Sequence, residues 1–176
     1  NMAASESLGD VLVLLNPDVL IIEAGWLKVL VSYFSRGEVG LVGPKVIDKD
    51  ARVLAAGLVL GLNGNVGRIF EGENSAAAGY LNRLQVDNNV SALTHECLLI
   101  RKDVLLSVSG FNDNDFSEGY SEVDLALRLS RNGYCHVFVP SVRVVCLNVN
   151  SPNTRSSNSV LQERFYEHWL PSLHSD

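Results

Sequence analysis

The chain has 176 residues, with 14 Lys and Arg against 20 Asp and Glu, a formal net charge of -6 and a 47% hydrophobic composition. That is the length and makeup of one globular domain with its own core, not of a disordered tail. The acidic balance excludes a non-specific nucleic-acid surface, which needs clustered Lys and Arg, and the apolar runs Val11–Leu15 and Val19–Ile22, broken by Asn16-Pro17-Asp18, fall short of the ~20 apolar residues of a membrane span.

Val11–Leu15 is a continuous apolar run between turn residues, the pattern of a strand buried on both faces. From Gly25, Trp26, Leu27, Leu30, Val31 and Phe34 recur at helical spacing, and Gly37 stands where a helix-ending glycine belongs. Val39–Gly43 reads as a second short buried strand, and Asp48-Lys49-Asp50 as a hairpin turn before Val53–Leu60. Residues 61–88 are rich in Gly and Asn and read as a long surface excursion with one short strand at Val66–Phe70. Cys97–Ile100 is a third buried strand, and Lys102–Ser109 a short helix closed by Gly110. Ser121–Asn132 is a strong helix closed by Gly133, followed by separate late strands at His136–Val139 and Val142–Cys146. Ser151–Ser159 is polar, and Val160–Leu170 is a final amphipathic helix. Buried strands alternating with helices predict an α/β fold, a mixed β-sheet flanked by helices. Cys97, Cys135 and Cys146 form no CxxC pair, and Asn1–Glu6 is neither basic nor apolar; a reducing, cytoplasmic setting is expected. Asn1 is not a start methionine and the first strand follows almost at once, so the chain reads as cut from something longer.

Two constellations carry candidate chemistry. Asn16-Pro17-Asp18 ends a buried strand, and ligands of open α/β sheets bind beyond the carboxyl ends of strands. A carboxylate there suits Mg²⁺ or Mn²⁺ with a substrate diphosphate, although the same three residue types commonly make a plain turn. Ser121-Glu122-Val123-Asp124 opens a helix beside a loop rich in Asp, Asn and Gly. A general base needs such an accessible carboxylate, yet Ser121 and Asp124 also fit a capping box, and first-turn acids answer the helix dipole. The glycines Gly57, Gly61, Gly64 and Gly67 match neither GxGxxG nor the P-loop and read as turn glycines. His95, His136, His168 and His174 show no metal-ligand spacing; His95-Glu96, just before a buried strand, reads as a structural hydrogen-bonded pair more readily than as a catalytic dyad.

In order, Gly9-Asp10, the strand, Asn16-Pro17-Asp18, Gly25-Trp26-Leu27 and Glu38–Lys45 resemble the middle of family-2 glycosyltransferases of the GT-A fold. Cys97–Lys102, Gly110-Phe111, Glu122–Arg128 and Asn132-Gly133-Tyr134 follow the same family's order and spacing. Gly79-Tyr80, Arg83-Leu84, Asn89–Thr94 and the closing Phe165, Trp169 and Ser175-Asp176 resemble a subgroup linked to O-antigen and other surface polysaccharides. The resemblance implies residues 1–176 as the C-terminal part of one GT-A domain, without its N-terminal nucleotide-binding half. It implies sugar transfer from a nucleotide-sugar donor to an acceptor hydroxyl of a glycan or lipid-linked molecule, with inversion. By the same resemblance Asp18 is the metal and diphosphate residue, with Mg²⁺ or Mn²⁺ held weakly or only with the donor. Glu122 falls at the catalytic base, usually an Asp, and Asp124 is the second acid of that motif. Thr94, His95 and Glu96 fall in the stretch lining the sugar pocket, and Asn16, Tyr120 and Ser121 count with them as substrate-binding positions.

This chain departs from the family at three points. The opening βαβ half is absent; Val145-Cys146-Leu147-Asn148 stands where one or two histidines are usual; and bulky His95 and Glu96 replace small residues. A thiolate is a poor ligand for hard Mg²⁺ or Mn²⁺. A non-catalytic pseudo-glycosyltransferase module that binds a partner or glycan is therefore the alternative. The isolated chain is expected not to transfer sugar by itself, and to self-associate through an uncovered apolar strand edge.

Overall fold

The computed structural model describes residues 1–62, 65–116, 119–148 and 159–173; Gly64, Ser151–Asn158 and His174–Asp176 lie outside them. The elements in chain order are α1 (Met2–Glu6), β1 (Val11–Leu15), β2 (Val19–Ile21), α2 (Trp26–Ser32) with a 3-10 turn at Tyr33–Ser35, β3 (Val39–Ile47), β4 (Val53–Ala55), β5 (Leu58–Leu62) and β6 (Asn65–Arg68). A second 3-10 turn (Tyr80–Asn82), β7 (Asn88–Val90), β8 (Cys97–Arg101), α3 (Lys102–Ser107), α4 (Ser121–Arg131), β9 (Cys135–Cys146) and α5 (Ser159–Leu173) complete it.

Among the described residues the main sheet has the order β1-β8-β3-β9-β2, with β4 added to β3 and β7 to β9, while β5 and β6 form a separate hairpin. The β3–β9 pair is parallel and the other pairs are antiparallel, so the sheet is mixed as expected. Alternation along β8 divides the core. Leu98 and Ile100 join Leu41, Phe116, Leu125, Phe165 and Trp169 on the face covered by α4 and α5. Cys97 and Leu99 join Leu30, Phe34, Val42 and Val137 under α2. With both faces covered, β8 reads as an apolar run over Cys97–Ile100, and β3 is buried along its whole length, Lys45 included.

Several details differ from the sequence reading. The strand expected at Val39–Gly43 runs on to Ile47, and Val53–Leu60 is split by the turn at Gly57 into β4 and β5. β1 is half-buried, not buried on both faces: it is a sheet edge paired to β8. Val13 and Leu15 are 37% and 43% exposed because α2 covers the middle of the sheet rather than this margin. The two late strands are one, β9; its register against β3 jumps between Val139 and Arg143, which lets Pro140, lacking an N–H, sit inside a strand. The helix at Ser121 has no side-chain cap: Tyr120, at φ 63°, is its N-cap residue, and Asp124 N–H bonds the Tyr120 carbonyl instead. Gly57 is required where it stands. Its φ is +89°, and a Cβ would fall 2.5 Å from Val90 Cγ1, so the chain can lay β7 beside this turn only with glycine.

Candidate active site

Asp18 is placed by backbone bonds that tie three strand ends together. Asn16 Oδ1 accepts the Asp18 N–H at 2.9 Å, the Asn16 N–H donates to the Glu96 carbonyl at 3.0 Å, and the Leu147 N–H donates to the Asp18 carbonyl at 2.8 Å. The tripeptide is thus an Asx turn that also sets Asp18 at the end of the sheet where β1 and β9 finish and β8 begins.

Glu96 is the most buried member of this group, with its side chain 1% exposed. Arg68, from β6, donates from Nη2 to Glu96 Oε1 at 2.7 Å and from Nη1 to the Leu54 carbonyl at 3.1 Å. Burial pushes the Glu96 pKa up, but Arg68 and His95 close by, with the Thr94 hydroxyl, outweigh it and hold the group below its ordinary value. Glu96 Oε2 is buried and has no hydrogen-bond partner among the described residues, and the Thr94 hydroxyl that helps lower the Glu96 pKa is itself buried.

His95, in the same turn just before β8, has a different partner. Its Nδ1 lies 3.7 Å from Glu122 Oε1 at the start of α4. The Glu122 carboxylate beside it raises the imidazole pKa above the usual value, against the opposing effect of burial; Glu96 adds to the rise and Arg68 reduces it. Ser121 Oγ donates to Glu122 Oε2 at 3.3 Å. Tyr120 stacks on Phe165 at 4.7 Å between ring centroids, and burial, then Glu122, raises its phenol pKa. His95 and Glu96 therefore do not pair with each other as the sequence reading had it; each has its own partner.

Asp124 is buried, and both its oxygens are engaged: Arg128 Nε donates to Oδ2 at 2.8 Å and Trp169 Nε1 to Oδ1 at 3.2 Å. Arg128 also donates to the Val108 carbonyl, and Arg131 lies over the Trp169 ring at 4.4 Å. This acid anchors α5 to α4 and does not face the group around Glu122.

Cys146 lies opposite Val19 in the β2–β9 pair. Burial raises its thiol pKa, and Asp18, Glu96 and Arg68 are all close enough to act on it electrostatically. One row of groups thus runs along the end of the sheet: Asp18, Cys146, Glu96 with Arg68, His95, Glu122. No group of three or more His, Cys, Asp and Glu that could hold a metal ion occurs among the described residues. Of the donors near Asp18, Glu96 is committed to Arg68 and Cys146 is a buried thiol; the set fits a hard cation only as a bridge between Asp18 and phosphate oxygens brought by a substrate.

No protein-family model matches the chain. It is 36% identical over 143 residues to "Uncharacterized protein y4gI" of Sinorhizobium fredii (strain NBRC 101917 / NGR234), covering 80% of this chain and 15% of that protein. It is 35% identical over 150 residues to "O-antigen biosynthesis protein RfbC" of Myxococcus xanthus, covering 83% of this chain and 11% of that protein. Among solved structures, it superposes on GalNAc-T7 with UDP, GalNAc and Mn²⁺ at a TM-score of 0.69 and 16% identity, over 97% of this chain and 34% of that one. The fold is that of GT-A glycosyltransferases. The mannosyltransferase PcManGT from Pyrobaculum calidifontis, in complex with GDP-Man and Mn²⁺, matches at a TM-score of 0.55 and 13% identity, over 99% of this chain and 42% of that one. This chain thus spans a small part of the curated relatives and well under half of either GT-A structure.

Within this GT-A frame, Asn16, Asp18, Thr94, His95, Glu96, Tyr120, Ser121 and Glu122 gather at one end of the sheet and the start of α4, while Asp124 lies in the core. Arg68 was missed by sequence reasoning. The available signal was weak: it is the only basic residue between Arg52 and Arg83 and stands beside apolar Val66, Ile69 and Phe70.

Proposed function

We propose that this chain is the C-terminal part of a family-2 glycosyltransferase domain, acting in surface-polysaccharide synthesis. It would transfer a sugar from a nucleotide-sugar donor to an acceptor hydroxyl with inversion. The observation that carries the reading is the contiguous row from Asp18 to Glu122 at one sheet end of a GT-A fold; the 35% identity to a protein named for O-antigen biosynthesis adds the setting. Asp18 supplies the hard oxygen for a divalent ion carrying the donor diphosphate, and that ion, when bound, would neutralise the charge that develops on the leaving diphosphate. Glu96, fixed by Arg68, and Thr94 are buried behind the sugar position and set the charge there. The His95–Glu122 end receives the acceptor's proton. A glycan or lipid-linked acceptor suits such a role, at the cytoplasmic face; no described helix is long and apolar enough to cross a membrane. The exposed apolar side of β1 makes self-association of the isolated chain an expected companion property.

Cys146-Leu147-Asn148, where the resemblance would place a histidine, favours one second reading, a module that binds nucleotide or glycan without turnover. Calorimetry with a nucleoside diphosphate and Mn²⁺, beside a sugar-transfer assay on the full-length protein, separates the two: binding and turnover support the enzyme, binding alone the module, and neither would remove both.

A further inference from the structure

We propose that His95, rather than Glu122, is the base that takes the acceptor's proton, with Glu122 as the positioning residue that orients the imidazole. The inference rests on the sugar-transfer reading and assigns the proton within it.

The arrangement around Glu122 is asymmetric. Oε2 accepts from Ser121 Oγ and Oε1 faces His95 Nδ1, so neither carboxylate oxygen is left without a neighbour. His95 presents its other nitrogen, Nε2, with no hydrogen-bond partner among the described residues. The imidazole is also the more accessible of the two side chains, 29% exposed against 16% for Glu122. The imidazole is thus the more open of the two side chains to an incoming hydroxyl. His136 shows what a structural histidine looks like in this protein. It is buried, its Nε2 lies 3.1 Å from Ser130 Oγ and 2.9 Å from the Ala126 carbonyl, and burial lowers its pKa to about 4.

The charged and titratable groups facing His95 are Glu122 from α4, with Tyr120 beside that carboxylate, Glu96 on its own segment, and Arg68 from β6. The two carboxylates favour the protonated ring and Arg68 opposes it, which suits a base that must accept a proton and hold it. An imidazole held by a carboxylate at one nitrogen works as a base at the other, because the partner fixes the tautomer and stabilises the cation that forms. The 3.7 Å separation is long for a hydrogen bond, as is common before substrate closes a site.

The step balances without any added redox partner. The acceptor hydroxyl gives its proton to His95 Nε2 as its oxygen bonds to the anomeric carbon of the donor. The bond from that carbon to the diphosphate oxygen breaks, and its electron pair leaves with the nucleoside diphosphate. Nδ1–H stays directed at Glu122, and the ring later releases its new proton to water.

Two experiments decide it. The first is a histidine NMR titration of this chain, which needs no turnover. His95 should titrate above the ordinary imidazole range, and Glu122→Gln should lower its pKa; a His95 pKa unmoved by Glu122→Gln would show that the pair does not exist and overturn the proposal. The second is the pH profile of kcat/KM for sugar transfer by the full-length protein. The acidic limb should follow the NMR pKa of His95 and move down in Glu122→Gln. His95→Ala should lose about 10²- to 10⁴-fold in kcat, with donor KM little changed and partial rescue by imidazole in the buffer. An acidic limb that survives in His95→Ala without imidazole rescue, with Glu122→Gln the more damaging change, would return the base to Glu122. Absence of transfer by the full-length wild type would remove the sugar-transfer reading, and the base assignment with it. That failure is told apart from a missing pair by the NMR result.

Discussion

Replacing Arg68 by Met keeps the apolar stem and removes the guanidinium from a carboxylate that is 1% exposed. The wild-type pair is short, 2.7 Å, and the same guanidinium holds the Leu54 carbonyl at 3.1 Å. Breaking a buried pair by deleting one partner typically costs about 3–5 kcal/mol, because the remaining charge is left without compensation. Glu96 has one escape, which is to take up a proton; buried glutamates reach pKa values of about 8–9. The cost is therefore pH-dependent, and the sign follows from the two states. In the wild type the folded Glu96 pKa lies below 4.5, so its stabilising contribution is fully present above that value and is lost as pH falls through the folded pKa. In Arg68→Met burial acts on Glu96 without its main opposing charge, so acid relieves the folded state. The two stability curves should differ by about 3–5 kcal/mol at pH 7.5, draw together as acid relieves the variant, and meet only below the folded wild-type Glu96 pKa. Urea unfolding followed by circular dichroism at several pH values measures this directly. Arg68→Met combined with Glu96→Gln should recover most of the loss, because no charge remains buried. A uniform loss below about 1 kcal/mol at every pH, the size of a surface pair, would refute the view that Glu96 is a buried, Arg68-dependent charge.

His136 is neutral when folded because burial lowers its pKa to about 4 from the ordinary 6.5. The unfolded chain takes up that proton first, so stability should fall by on the order of 3 kcal/mol as pH drops from ~6.5 to ~4; urea midpoints should show that slope, and His136→Gln should flatten it. Asp124→Asn should act on stability, costing about 1.5–3 kcal/mol as the charged partner of Arg128 is lost; tryptophan fluorescence should report a loosened Trp169. Mn²⁺ alone should bind this chain weakly, and Asp18→Asn should weaken its binding in the presence of a nucleoside diphosphate at least about tenfold; calorimetry showing tight nucleotide-free binding would count against the bridging role.

Much of the fold follows local rules and was legible for that reason. Apolar runs marked β1, β8 and the first half of β3, and the periodicity closed by Gly133 marked α4. The errors arise where neighbours distant in sequence decide. Val11–Leu15 has the composition of a central strand, but burial is set by what packs on it, and α2 stops short of Val13 and Leu15. Pro140 looks like a strand break and is absorbed by a register jump instead. The elements α1, β2 and β7 are each too short for periodicity to register. In the site, Asp18 and Glu122 stood out because each follows a recognisable element boundary. Arg68 did not, because its meaning depends on Glu96, which is 28 residues away. His95 and Glu96 suggested a pair through adjacency, whereas each has its partner from a distant stretch of the chain, Glu122 and Arg68 respectively.

The most direct test of the central claim is a sugar-transfer assay on the full-length protein, supplied with nucleotide-sugars and surface-polysaccharide acceptors. Wild type, Asp18→Asn, His95→Ala and Asp124→Asn should be compared, each at equal concentration of folded protein. The account predicts turnover in the wild type, severe loss in Asp18→Asn and His95→Ala, and near-normal turnover in the folded fraction of Asp124→Asn. Full turnover with Asp18 and His95 both replaced, or loss confined to Asp124→Asn, would show that the row of groups along this sheet end is not where sugar is transferred.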